Sequence, residues 1–131
     1  MRLWHYKLIP ILDNQRLLGQ HRECCALRGN GWGKKHAIVD YIFKHNYYKL
    51  FAYHSDVMFE MRKQGYNVDR KWRRTFYRGK HCEPTPSVLA DLEPYPEHGE
   101  AYLNECKNLL LQKKPDYYKP IFERVDCEIL F

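Results

Sequence analysis

Residues 47–65 read YYKLFAYHSDVMFEMRKQG, and this stretch decides the fold class. Its apolar and aromatic side chains recur every three or four positions, which is the spacing of one face of an α-helix. That face is most simply the side of a helix that packs against the core. The pattern reaches upstream and predicts one long helix from about Val39 to Gln64, with Gly65 as its natural stop.

Helical spacing also dominates the segment that precedes this stretch. Apolar residues at three- and four-residue intervals predict a first helix over residues 14–28. Asp13 or Asn14 is expected to be its N-cap, because a short polar side chain accepts hydrogen bonds from the first free backbone N–H groups. Gly29 is the expected C-cap.

The rest of the chain adds one more helix and two irregular segments. The last helix is expected over residues 97–113, where Pro115 ends it. Residues 66–86 are expected to be irregular, and the first ten residues, which end at Pro10, to be extended. Strand signals are poor. The sequence therefore predicts an all-α fold: a compact single-domain bundle of three to four helices over residues 1–131, with an extended N-terminus and long basic loops.

The charge of the chain is unevenly distributed. Residues 1–80 hold 17 basic and 6 acidic side chains, whereas residues 81–131 hold 5 basic and 10 acidic ones. A strongly basic surface on a small protein favours a polyanionic partner, most often a nucleic acid, and a solvated basic surface is the alternative. The length of 131 residues excludes a two-domain cofactor enzyme. With no apolar span and no apolar signal segment, we expect a cytoplasmic protein that does not contact a membrane.

Cysteine and histidine usage gives little support for a metal centre. The five cysteines are odd in number, and the adjacent pair Cys24 and Cys25 does not suit a disulfide framework, so reduced thiols are expected. A zinc-dependent fold that uses His21, Cys25, His81 and Cys82 stays open as an alternative. The spacing of these residues is not that of a usual structural zinc site, so no metal and no other cofactor is expected.

Glu23 is the acidic residue that invites a chemical role. It follows Arg22 on the first predicted helix, in the basic half of the chain. A carboxylate in a basic cleft suits general-base chemistry or the stabilisation of a sugar cation. A structural ion pair is the alternative.

Three segments, taken in order, resemble the phage-type pyrimidine-dimer DNA glycosylases, often called endonuclease V. Residues 8–23, LIPILDNQRLLGQHRE, resemble the first helix of that family and retain its Leu-x-x-x-x-Arg-Glu core. Residues 61–68, MRKQGYNV, resemble the end of its central helix. Residues 113–119, KKPDYYK, are similar to its aromatic and basic C-terminal segment.

The resemblance implies an all-helical DNA repair enzyme with glycosylase and AP-lyase activities, acting on cyclobutane pyrimidine dimers. The implied nucleophile is the α-amine of Met1, which forms a Schiff base at C1′ before β-elimination breaks the strand. Met1 should be retained, because Arg2 is bulky. Glu23 is the implied acid/base and electrostatic partner, and Arg2 and Arg22 hold phosphates. An α-amine has an unperturbed pKa of about 7.7–8.0, so part of it is already neutral at pH 7.

Double-stranded damaged DNA is the expected partner of a monomeric protein. Weaker candidates for DNA contact are Gln15, Arg16, Lys34, Lys35, Arg73, Arg74 and Lys119. Aromatic side chains that stack on DNA or belong to the core are Trp32, Trp72 and Tyr118. A non-catalytic nucleic-acid-binding module is the alternative, and it predicts salt-sensitive binding that does not depend on Glu23.

The chain departs from the family pattern at phosphate-binding positions of two helices. The third arginine of the family's first helix falls near Ala26 here, and Arg28 is the nearest substitute. The phosphate-binding positions of its last helix meet Cys106 and Leu110. Lys107 or residues 70–80, where Lys and Arg alternate with aromatic residues, are expected to compensate.

Overall fold

The structure, a computed structural model, describes residues 2–30, 39–86 and 89–125. Within these ranges the chain is helical and contains no strand, which confirms the predicted all-α fold. The α-helices are α1 (Asn14–Arg28), α2 (Tyr47–Lys63), α3 (Glu100–Lys113) and α4 (Pro115–Val125). Short 3-10 helices cover Tyr6–Ile11, Asp40–Lys44 and Arg70–Arg73.

Helix α1 has the bounds that the sequence predicts, but its N-cap works differently. Asp13 stands at the N-cap position without accepting a hydrogen bond from the backbone of the first turn. Its carboxylate instead accepts from the buried Tyr118 hydroxyl and pairs with Arg16, 3.3 Å away. At the other end, the Gly29 N–H donates to the carbonyl of Cys25 at 3.2 Å, as expected for a C-cap.

Helix α2 is shorter than predicted. The Asn46 side chain accepts a hydrogen bond from the Tyr48 N–H at 2.9 Å and starts α2 at Tyr47, so the helix predicted from Val39 is interrupted before it. An asparagine side chain competes for backbone N–H groups in this way, and periodicity does not report it. The end is as predicted, because Gly65 adopts a φ of +93° and lets the chain turn back onto the helix.

The N-terminal segment is extended over a shorter stretch than predicted. Residues 2–5 lack regular structure, but Tyr6–Ile11 form a 3-10 helix with Pro10 inside it. The His5 ring accepts from the Lys7 N–H at 3.1 Å and caps this helix. A proline ring fixes φ near the helical value, and a short helix loses little from its missing N–H. The prediction of an extended segment up to Pro10 was therefore wrong.

The C-terminal part contains a helix that the sequence analysis missed. Pro115 ends α3, as predicted, but it is also the first residue of α4. Proline suits this position because its backbone needs no hydrogen-bond donor there. Helix α4 returns Tyr118 and Phe122 to the core, where both are buried. The interpretation of Tyr118 as a base-stacking side chain was wrong, and its alternative as a core residue is confirmed.

Helices α1 and α2 pack together, and the N-terminal segment completes the core beside them. Buried residues of this core include Leu3, Leu8, Leu17, Cys24, Leu27, Leu50, Val57 and Met61. None of the helices in the described ranges is both long and apolar enough to cross a membrane.

Candidate active site

The first residues of the chain are held by side chains of α1 and α2. Gln20 of α1 is buried, and its Nε2 donates to the Arg2 carbonyl at 2.9 Å while its Oε1 accepts from the Trp4 N–H at 2.8 Å. The Tyr53 hydroxyl of α2 lies 2.6 Å from the Trp4 carbonyl oxygen and 2.9 Å from Gln20 Oε1. These contacts satisfy backbone groups that no regular structure pairs.

Glu23 lies one turn further along the same face of α1. Its Oε2 accepts two hydrogen bonds, from the Arg2 backbone N–H at 3.1 Å and from Gln20 Nε2 at 3.1 Å. No hydrogen bond from the described residues reaches Oε1. The carboxylate is thus anchored through one oxygen.

Glu23 lines an open cleft of about 460 Å³, a size that suits a small ligand or an extruded nucleotide. The N-terminal segment, one face of α1 and the end of α3 form its walls. The lining residues are Arg2, Trp4, Gln15, Arg16, Gly19, Gln20, Arg22, Glu23, Leu109 and Lys113. Glu23 is the single acidic residue in this set and shares it with four cations, so the cleft favours a polyanion.

Arg2 is positioned by aromatic rings as well as by charge. Its guanidinium lies 5.9 Å from the centre of the Trp4 ring and 5.6 Å from that of Tyr102. It also pairs with the exposed carboxylate of Glu105 at 3.5 Å. An exposed pair of this kind is weak, so the guanidinium can exchange Glu105 for a phosphate at little cost.

The structure brings the predicted site residues together only in part. The cleft contains Glu23, Arg22, Arg2, Gln15 and Arg16. Met1, Lys34 and Lys35 lie outside the described residues, and so does Trp32. Other predicted DNA contacts are exposed but do not line the cleft, namely Arg73, Arg74 and Lys119. Lys107, which was expected to compensate for Cys106, also lies outside the lining and sits 5.3 Å from the centre of the Phe122 ring.

Arg28 does not replace the family's third arginine, because its side chain is fully buried. Its guanidinium donates to three backbone carbonyls, of Trp72 at 2.6 Å, Arg74 at 2.8 Å and Tyr77 at 2.8 Å. It therefore anchors residues 70–80 to α1 and cannot contact DNA. The partly buried Trp72 packs against the core and lies 5.0 Å below this guanidinium.

A second cluster of titratable groups lies between α1, which contributes His21 and Cys25, and α2, which contributes His54. One ligand-type atom from each of His21, Cys25 and His54 falls within 4.8 Å of the others. Arg28 lies 3.0 Å from His54 Nδ1, and a guanidinium can only donate, so Nδ1 accepts and the ring proton is on Nε2. That proton points to His21 Nδ1 at 2.8 Å. Burial holds the pKa of His54 well below its usual value, and the nearby Arg28 and His21 lower it further.

This arrangement does not favour the zinc alternative. Both nitrogens of His54 are engaged by protein partners, and the neighbouring guanidinium repels a cation. Of the ligand set that the sequence suggested, the cluster contains His21 and Cys25 but neither His81 nor Cys82. Those two line a separate pocket at the end of α1, together with Cys25.

Sequence reasoning missed Gln20 and Tyr53, which hold the first residues of the chain. The spacing of Gln20 three residues before Glu23 is a helical signal that places both on one face. No signal links either residue to the backbone of residues 2–4, because backbone groups look the same at every position.

A profile described as pyrimidine dimer DNA glycosylase matches residues 1–74. The match covers more than half of the chain. It includes α1, α2 and every residue of the cleft apart from the two on α3. No curated protein and no solved structure matches the chain.

Proposed function

The chain belongs to the pyrimidine dimer DNA glycosylase family, and we propose that it excises cyclobutane pyrimidine dimers from double-stranded DNA as a glycosylase with AP-lyase activity. The α-amine of Met1 attacks C1′ of the damaged nucleotide, and the bond from C1′ to the base breaks. Loss of a proton from the nitrogen and opening of the sugar ring give a Schiff base. Removal of a proton from C2′ then expels the 3′ phosphate by β-elimination.

The observation that carries this proposal is the hydrogen bond from the Arg2 N–H to Glu23 Oε2, at 3.1 Å. Three covalent bonds separate the α-nitrogen of residue 1 from that backbone nitrogen, a span of at most about 4.3 Å. Covalent connectivity therefore tethers an amine on residue 1 to the backbone N–H that Glu23 binds. Tethering of the nucleophile beside the acid/base group is what makes such chemistry intramolecular.

The charges around the cleft suit an amine nucleophile. A terminal amine has an unperturbed pKa of about 7.7–8.0, against about 10.4 for lysine, so less free energy is needed to make it neutral. The guanidinium groups of Arg2, Arg16 and Arg22 line the same cleft and disfavour a further positive charge. These cations also attract the phosphates on either side of the target nucleotide.

In this proposal Glu23 supplies the carboxylate that stabilises the sugar cation. The transition state at C1′ carries positive charge, as in glycoside hydrolysis, and a nearby carboxylate lowers its free energy. Because two donors bind Oε2, Oε1 is the oxygen that interacts with the sugar cation in this proposal. An enzyme that reaches C1′ in a duplex has to extrude the nucleotide, which costs least at a damaged site.

Borohydride trapping tests the proposal. Untagged protein is incubated with duplexes that carry an abasic site, a thymine dimer or no damage, and the adduct is located by peptide mass spectrometry. We expect a covalent adduct on the Met1 amine with both damaged duplexes. Glu23→Gln should slow turnover about 100-fold or more, as loss of a general acid or base does. Glu123→Gln, an exposed carboxylate on α4, is the matched control and should trap normally.

The competing function is a non-catalytic nucleic-acid-binding module on the same basic surface. It predicts DNA binding that weakens steeply with salt, no adduct with any duplex and no effect of Glu23→Gln. That combination of results would overturn the enzymatic proposal.

A further inference from the structure

Gln20 is 1% exposed, yet its side-chain amide contacts four polar groups. Two of them belong to the backbone of residues 2–4, one to α2 and one to Glu23. We propose that Gln20 is a positioning residue of this enzyme: it holds the first residues of the chain and the Glu23 carboxylate in one fixed arrangement. This inference rests on the proposed function.

The polarity of these contacts allows one orientation of the amide. On the Oε1 side stands a donor, the Trp4 N–H at 2.8 Å. The Tyr53 hydroxyl lies 2.9 Å from the same oxygen and shares its one proton between it and the Trp4 carbonyl oxygen at 2.6 Å. On the Nε2 side stand two acceptors, the Arg2 carbonyl at 2.9 Å and Glu23 Oε2 at 3.1 Å. Exchange of the oxygen and nitrogen would set donor against donor and acceptor against acceptor. Among side chains of this size, only an amide supplies two donors at one end and an acceptor at the other.

The amide acts on Glu23 by choosing which oxygen is occupied. Gln20 Nε2 and the Arg2 N–H both donate to Oε2, which prevents the carboxylate from turning about its last bond. Gln20 also holds the Arg2 carbonyl, on the far side of the same residue. The attachment point of the amine and the carboxylate are thus oriented by a single side chain.

The expected signature is a loss of chemistry without a loss of DNA affinity. Gln20 is almost fully buried, so its side chain is not accessible to a phosphate. Its replacement therefore leaves the cations that line the cleft in place. A displacement of about 1 Å between reacting groups is enough to cost about 100-fold in rate. The rate of trapping should therefore fall while the Kd for DNA stays the same.

Gln20→Met keeps the volume of the side chain and removes all four of its polar contacts. We expect its single-turnover trapping rate on abasic duplex to fall about 100-fold, with a Kd within about twofold of the original, the spread of an untouched binding surface. The control is Gln64→Met, an exposed glutamine just after α2, which should change neither quantity.

Gln20→Glu provides a readout that a purely structural role would not change. When protonated, the new carboxyl can still donate to Glu23 Oε2, and when ionised it repels it. The trapping rate of this variant should rise relative to the unsubstituted protein as pH falls, which adds an ionisation to the pH profile. Tyr53→Phe removes the hydroxyl that contacts both Gln20 Oε1 and the Trp4 carbonyl oxygen, so it tests the same network if Gln20→Met fails to fold. It should slow trapping by about tenfold, the equivalent of one hydrogen bond.

Three results would overturn the positioning role. In the first, Gln20→Met and Tyr53→Phe trap at the original rate. In the second, the Kd weakens in proportion to the rate. In the third, Gln20→Glu keeps the original pH profile. A protein without substitutions that yields no adduct would overturn the proposed function and this inference together, whereas normal trapping by the unsubstituted protein separates the two.

Discussion

Replacement of Arg28 by methionine should lower the free energy of unfolding by about 4 kcal/mol, the middle of the range for breaking a buried charged network. Arg28 is fully buried at the end of α1, and its Nη atoms donate to the carbonyls of Trp72, Arg74 and Tyr77. These acceptors lie 44–49 residues away along the chain. The side chain therefore closes a long loop that includes α2.

The predicted loss of about 4 kcal/mol is the free energy of the three hydrogen bonds to carbonyls, less the free energy that is regained because no cation has to be buried. A hydrogen bond to a charged donor contributes about 1.5–3 kcal/mol, so three of them contribute about 4.5–9 kcal/mol. Methionine no longer requires a cation to be desolvated, which returns several kcal/mol of that amount. The loss of about 4 kcal/mol that remains is a large fraction of the stability of a typical domain, about 5–15 kcal/mol.

Urea denaturation followed by circular dichroism measures the effect. Arg28→Lys keeps the charge but has three donors on one nitrogen, which cannot reach three separated carbonyls, so it should also destabilise the protein. Arg62→Met, at an exposed position in the last turn of α2, is the control and should stay within about 0.5 kcal/mol. If Arg28→Met unfolds within 1 kcal/mol of the original protein, by the same scale of surface substitutions, residues 70–80 do not depend on this anchor and the reasoning fails.

Other substitutions and conditions have equally definite outcomes. Tyr118→Phe removes the hydroxyl that joins α4 to Asp13 and should cost about 1–2 kcal/mol in urea denaturation; an unchanged midpoint would show that packing alone holds α4. Burial, and to a smaller extent the nearby His5, lower the pKa of His98 from 6.5 to about 3. Between these two pH values His98 is therefore protonated in the unfolded chain but neutral in the folded protein. The contribution of His98 to the free energy of unfolding is therefore fully present above pH 6.5, and its loss should lower that free energy by about 2 kcal/mol at pH 5. His98→Phe should reduce this pH dependence, and an identical dependence would refute the assignment. Arg22→Met should reduce the slope of log Kd against log salt by about 1 for DNA binding, as expected for one lost phosphate contact; an unchanged slope would place Arg22 away from the phosphates.

Local sequence patterns predicted the elements whose causes are local. Helix α1 runs over residues 14–28 because helical periodicity and the Gly29 cap agree. The same periodicity put Arg22 and Glu23 on this helix, in the basic half of the chain. The charge of residues 1–80 predicted a cationic surface, and these residues supply three of the four cations that line the cleft, namely Arg2, Arg16 and Arg22.

Local patterns failed where a side chain competed with the helix or where one residue type serves two purposes. Asn46 interrupts the helix predicted from Val39, because its side chain caps the backbone of Tyr48. Pro115 ends one helix and begins another, and only its first role was predicted from sequence.

The remaining features depend on contacts between distant parts of the chain. The Arg2 backbone meets Glu23 across 21 residues, and the Tyr53 hydroxyl meets Gln20 across 33. Arg28 looked like a surface residue by its type, and its burial is possible because folding brings carbonyls of residues 72–77 around it. Backbone carbonyls and N–H groups are the same at almost every position, so a sequence does not mark which of them a buried side chain will satisfy. Periodicity and composition therefore specify the helices and the charge of the cleft, whereas packing determines which atoms of the cleft are held in place.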